Sequence, residues 1–155
     1  MDIGMRRKDR EITDLKTVEG IIAEAKFCRM ALCDNGKPYI VPMCFGYKDR
    51  KVYIHSAPEG HKLEVMKKNS AVCIEFETVP EVVKNDIACK WKLRYKSVIA
   101  RGKAVVLDGM EEKRRALGLI MSNYAPGVFE VSEEGLNKIV VFKIALESMT
   151  CKISA

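Results

Sequence analysis

The sequence predicts a mainly β domain, a small closed β-barrel of six strands with three short helices. Three observations carry this. Asn35-Gly36 stands between two apolar runs, the strongest short-range signal for a hairpin. Alternating apolar residues recur through residues 71–78, 95–107 and 138–148, and helical periodicity is confined to short segments. An open six-stranded sheet would present exposed edges, and closure removes them. No repeat or low-complexity linker divides the chain, so residues 1–155 read as a single domain with a charged leader over residues 1–12.

Taken in order, Val18, Ile21, Ile22 and Ala25 fall at i, i+3, i+4 and i+7, the stripe of an amphipathic helix lying across a core. Residues 27–34 and 37–47 are the two arms of the Asn35-Gly36 hairpin, and the polar turn Lys48-Asp49-Arg50 leads into a third strand at 51–56, giving a meander. Residues 60–69 form a short helix with Leu63 and Met66 turned inward, and 71–78 is the fourth strand. Residues 79–86 read as loop, 95–107 as a long strand, and 111–124 as a helix with Leu117, Ile120, Met121 and Tyr124 on its stripe. The last strand spans 138–148, with Val140, Phe142, Ile144 and Leu146 on one face.

Composition excludes several classes. Apolar residues at 48% and charged residues at 31% are incompatible with a disordered or collagen-like chain. The longest uncharged stretch, residues 116–129, is shorter than the about 20 apolar residues a membrane helix requires. The leader carries Arg6, Arg7, Lys8 and Arg10 with no apolar segment behind it, so it is no secretory signal and a cytoplasmic location is expected. Six cysteines without a CxxC pair, and only His55 and His61 to assist them, give zinc no support; reduced, packed thiols are expected. A net charge of +6 favours anionic partners without choosing among them.

No GxGxxG, P-loop, GxSxG or HExxH motif is present. Residues 55–62, His-Ser-Ala-Pro-Glu-Gly-His-Lys, join a strand to a helix, where free amide groups, the dipole, Ser56 and Lys62 can converge on a phosphate. A plain strand-turn-helix link with an exposed Lys62 is the alternative. Lys90, Lys92, Arg94 and Lys96 alternate with Trp91, Leu93, Tyr95 and Ser97, fitting either a single-stranded nucleic-acid platform or a solvated basic face whose aromatics pack or lean on a flat cofactor. Arg29, in an apolar strand, points into a pocket or pairs with a carboxylate. Pro42 marks an edge or a bulge.

Residues 6–14, Gly36-Lys37-Pro38-Tyr39-Ile40-Val41-Pro42 with Phe45-Gly46-Tyr47, His55-Ser56-Ala57 with Gly60 and Lys62, and Tyr95-Lys96-Ser97-Val98 with Gly102-Lys103-Ala104 together resemble the 5-nitroimidazole-resistance family of the pyridoxamine 5′-phosphate oxidase-like, FMN-binding split barrels. The resemblance runs from about residue 6 to residue 152. It implies a six-stranded split barrel and a homodimer with FMN in clefts at the subunit interface. Val41, Pro42 and Met43 would line the isoalloxazine edge, His55, Ser56 and Ala57 the ring and ribityl chain, and Gly60, His61 and Lys62 the phosphate. Tyr95 and Ser97 would approach from the next strand. Two departures stand out. Thr150-Cys151-Lys152 replaces the family's usual Thr-Gly-Lys, and Val41 stands near a phosphate-gripping arginine of the oxidases. The chain also lacks their C-terminal substrate-binding extension, so pyridoxamine phosphate oxidation is not expected.

The implied activity is an FMN-dependent reductase that passes electrons from a reductant through flavin N5 to a small electron-poor substrate such as a nitroimidazole or nitroaromatic. His61, His55 and Tyr95, in that order, are the expected proton or hydrogen-bond donors. A flavin- or haem-binding carrier or redox-stress protein without turnover is the alternative, since fold does not fix function. A nucleic-acid module rests on charge alone. No metal, nucleic acid or membrane partner is expected.

Overall fold

The computed structural model describes residues 5–155; the first four residues of the predicted leader lie outside the described residues. Among the described residues no helix is long and apolar enough to cross a membrane. Glu11–Ile12 (β1), within the predicted leader, pairs with the C-terminal strand. Helix α1 (Leu15–Glu24) starts where the Asp14 carboxylate accepts hydrogen bonds from the Thr17 amide (2.8 Å) and hydroxyl (2.6 Å), and it buries Val18, Ile21 and Ile22 as their spacing predicts.

Strands β2 (Cys28–Asp34) and β3 (Lys37–Met43) form the predicted hairpin. Asn35 and Gly36 take the left-handed φ values, 50° and 82°, that a two-residue turn requires. The meander does not continue. Residues 37–47 are two strands, β3 and β4 (Gly46–Lys48), because Phe45 turns fully into the core against Phe76, with ring centroids 4.8 Å apart. The Phe45 amide donates to the Tyr124 hydroxyl at 3.0 Å. The chain then crosses to the opposite edge of the sheet, where β4 pairs with β5 (Lys51–Ser56).

That crossing closes the barrel. The strand path is β3-β2-β6-β8-β9-β5-β4, where β6 is Ala71–Glu77, β8 is Lys92–Val106 and β9 is Val140–Ser154. Its two ends are joined by Cys44 and Phe45 alone, which span roughly 11 Å at full stretch. The sheet must therefore curl until its edges meet, leaving a seam where β3 and β4 do not pair. Helix α2 (His61–Lys68) turns Leu63, Val65 and Met66 inward. Helix α3 (Met110–Ser122) presses on the seam: a Cβ added to Gly46 would lie 2.7 Å from the backbone of Leu119 and Ile120.

Several expectations change. Among the described residues the sheet has nine strands rather than six. Residues 79–86 are not simply loop, since β7 (Glu81–Val83) pairs with Lys92–Arg94 at the start of β8 and extends it as an arm. A fourth helix, α4 (Glu133–Asn137), is capped by the Ser132 hydroxyl, and β9 runs to Ser154, well past residue 148. The inward face of α3 is rotated, burying Ala116 and Ile120 and leaving Tyr124 at the surface. The cation-aromatic alternation holds only from Lys92, because Ala88–Lys90 is a helical turn, and Lys92, Leu93 and Arg94 are all exposed. Of the cysteines only Cys28 and Cys151 are buried; Cys33, Cys44 and Cys89 are exposed, so packing describes a minority. Arg29 pairs with Glu75 (3.4 Å) and Glu77 (3.1 Å) across the strands, which satisfies the carboxylate alternative. Pro42 lies on the edge strand β3, where its missing N–H disrupts nothing.

Candidate functional site

Strand β5 alternates Val52, Ile54 and Ser56 inward with Tyr53 and His55 outward, and delivers His55 and Ser56 beside Val141 and Val140 of β9. The chain then turns through Ala57, Pro58 and Glu59 to Gly60, whose φ of 127° favours glycine. Gly60 opens α2 with no side-chain cap, while its carbonyl accepts from the Leu63 (3.0 Å) and Glu64 (3.3 Å) amides. The first amides of the helix thus remain available at the positive end of its dipole.

Lys62 reaches from this helix start to β3, where its ammonium meets the Met43 thioether at 3.4 Å. Burial lowers its pKa and no carboxylate opposes that effect. A half-buried cation facing only a weak acceptor is under-satisfied. Beside it, burial and then the Lys62 charge lower the His55 pKa, keeping its imidazole neutral, and Nδ1 of that ring is buried without a hydrogen-bond partner. An uncapped helix start, an unpaired cation and an orphaned ring nitrogen on eight consecutive residues fit a phosphorylated group.

His61 faces elsewhere. Its Nε2 lies 3.4 Å from Asp34, and its ring meets Tyr39 edge-on with centroids 4.9 Å apart, so it ties α2 to the hairpin. Val41 is half-buried against the core and Met43 is buried, whereas Pro42 and Ile40 face outward on the free edge. Tyr95 and Ser97 are not brought to this cluster within the chain. Ser56 is level with Val140 on β9, but Tyr95 is level with Ser154, on the order of 45 Å further along the strand contour. There Lys152 lies 5.3 Å above the Tyr95 ring, and Ser97 is buried opposite Lys152 and Glu77. Cys151, at the family's usual glycine, points into the barrel, and burial raises its thiol pKa.

Sequence reasoning missed the contact of Lys62 with Met43, which joins elements remote in the chain. It also missed an apolar cavity of about 200 Å³ between Pro58, Leu63, Met66, Val106, Val140 and Phe142. The signal for the latter was the Val140-Phe142 alternation.

A barrel closed across an unpaired seam, with an uncapped helix start beside it, defines the split-barrel class. The model of the family described as pyridoxamine 5′-phosphate oxidase matches residues 14–153, and the chain belongs to that family. Among solved structures it is similar to a candidate 5-nitroimidazole antibiotic resistance protein of Bacteroides thetaiotaomicron. The identity is 38%, the TM-score is 0.84, and the match covers 92% of this chain and 86% of that one. The fold is shared with a flavocytochrome of Azotobacter vinelandii (18% identity, TM-score 0.85, 98% and 72% covered). It is shared equally with an FAD- and haem-binding protein of Mycobacterium smegmatis (18%, TM-score 0.85, 94% and 73% covered). An uncharacterized protein of Rhizobium meliloti is 31% identical over 58 residues; the match spans 37% of this chain and 38% of that protein.

Proposed function

We propose that the protein is an FMN-binding oxidoreductase acting on small electron-poor molecules of the nitroimidazole or nitroaromatic type. The observation that carries the reading is the convergence of Lys62, the uncapped start of α2 and the unpartnered His55 Nδ1. Bound FMN supplies two-electron transfer between a reductant and the acceptor. Lys62 and the amides of His61 and Lys62 bind the phosphate. Val41, Pro42 and Met43 line the isoalloxazine edge, and Ser56 and Ala57 lie beside the ribityl chain. His55, neutral and partly buried, holds a proton or hydrogen bond at the open side of the ring. His61 follows it as a donor candidate, since Asp34 and Tyr39 already engage it.

Tyr95 and Ser97 act from a second copy of the chain in this reading. The arm beside them supports a homodimer: Val79 is 86% exposed, Val82 56%, Trp91 50% and Leu93 45%, an apolar surface out of keeping with a free monomer. The similarity to the Bacteroides protein supports the nitroimidazole substrate class. Haem is the second reading, since a protein of the same fold, that of Mycobacterium smegmatis, binds FAD and haem.

The absorption spectrum after incubation with FMN and removal of the excess tests the cofactor, and anaerobic reduction of a 5-nitroimidazole tests the turnover. About one retained flavin per chain, lost in Lys62→Gln, together with substrate consumption is expected. Retained flavin without turnover overturns the enzyme in favour of a carrier. A Soret band in the purified protein, with no flavin retained, establishes the haem reading.

A further inference from the structure

On the outer face of the barrel, remote in register from His55, four small side chains, those of Ala31, Cys33, Ala71 and Cys73, leave a hollow of about 380 Å³ in the sheet. Cys33 of β2 and Cys73 of β6 both face it. The register makes them diagonal neighbours: Cys73 is directly opposite Ala31, and Cys33 is two residues beyond Ala31 on the same face. Ala31 and Ala71 are the outward neighbours of the two cysteines on the same strands, so no bulky side chain of β2 or β6 separates the thiols. Arg101 stands directly across from Cys73 on β8, and Lys103 across from Ala71.

We propose that Cys33 and Cys73 form a two-coordinate thiolate site for a soft monovalent metal ion of the Cu(I) type. Two thiols release two protons to water and bind one cation, giving a linear bis-thiolate complex of net charge −1 with no change of oxidation state. Diagonal positions on antiparallel strands have Cα atoms about 7–8 Å apart, with the Cβ atoms somewhat closer. A disulfide needs Cβ atoms about 3.8 Å apart, so the pair is too wide for one. With bonds no longer than the about 2.3 Å of zinc to thiolate, a linear centre sets the sulfurs up to about 4.6 Å apart, which two cysteines so placed can span.

The surroundings select among ions. Zinc requires four ligands, and among the described residues no group of three or more His, Cys, Asp or Glu side chains could hold a metal. Soft thiolates select Cu(I), whereas Glu147, at the bulge between Leu146 and Ser148, offers only a hard carboxylate at the rim. Arg101 and Lys103 offset the negative charge of the complex. Of the other accessible thiols, Cys44 lies on the seam with only the buried Cys28 thiol near it, and Cys89 lies on the arm.

The test is anaerobic titration of the reduced full-length protein with Cu(I) against a chromophoric chelator, in parallel with Zn(II). One Cu(I) per chain is expected. Cys33→Ser and Cys73→Ser should each weaken binding about 100-fold or more, as when two-point attachment becomes one-point. The Cys44→Ser/Cys89→Ser double variant should bind unchanged. Each variant is first shown to melt as the parent does. Binding that survives loss of Cys33 or Cys73, that disappears with Cys44 and Cys89, or that is equally tight for Zn(II) overturns the site, as does failure to compete with the chelator.

Discussion

The two ends of the β8–β9 ribbon differ in kind. At one end β9 meets β5, and His55, Ser56, Gly60 and Lys62 are held by elements contiguous in sequence. At the other, β8 runs on past the end of β9 into an arm whose apolar residues lie at the surface. Yet the family resemblance assigns residues from both ends to one cofactor. The first end gathers its polar groups within a single chain. The second leaves apolar residues exposed, and on the proposed reading a second copy related by symmetry covers them.

The largest effect is expected where the ribbon bends. Gly102 sits at the bulge that joins the two halves, and a Cβ there would collide with the Ala145 carbonyl oxygen, a backbone atom that cannot step aside. Gly102→Ala should cost about 3 kcal/mol of stability in urea unfolding, the upper range for overpacking. Loss below 1 kcal/mol would show that the bend is soft and that the two ends are not rigidly related.

Separating the ends comes next. Lys62→Gln should weaken FMN binding by about 2 kcal/mol, the worth of a hydrogen bond to a charged group, while leaving the oligomeric state unchanged. Trp91→Ala with Leu93→Ser should do the converse. It should weaken self-association by about 2 kcal/mol in sedimentation, as at an interface hot spot, and leave monomer stability within about 0.5 kcal/mol. The Trp91 indole N–H is already satisfied by the Asn85 carbonyl at 2.7 Å, so its ring is presented as an oriented apolar plate. If the double variant lowers the melting temperature of the isolated monomer instead, the arm packs within its own chain.

The same contrast explains what could be read from the sequence. The Asn35-Gly36 turn, the α1 stripe and the strand-turn-helix at residues 55–62 are local, and each survives in the structure. The break at Cys44-Phe45 was illegible because Met43, Cys44 and Phe45 alternate in, out and in as a continuing strand does. The break follows from barrel closure, which depends on the whole strand order. Similarly, β7 exists only because β8 overhangs its neighbours, and Val82 and Leu93 pair there without any core to bury them. Lys62 could be proposed as an anion ligand from its place in α2, but its contact with Met43 spans the seam and exists only once the barrel closes.

The smallest effect concerns protons and sharpens the picture of the first end. Burial, and secondarily the Lys62 charge, hold the His55 pKa below its ordinary value of about 6.5. The unfolded chain therefore binds more protons than the folded one in the window just below that value. Stability contributed by the neutral ring is fully present above about pH 6.5 and is lost as pH falls through the unfolded value toward the folded one. His55→Gln should flatten the fall in urea stability between about pH 7 and pH 5. Asp9, held at about 2 beside Arg7, titrates well below this window and does not confound it. Lys62→Gln should flatten the fall only in part, because burial, the larger cause, remains. An unchanged slope in His55→Gln would mean that His55 is solvated in the folded protein, and the orphaned Nδ1 could then no longer count toward the cofactor site.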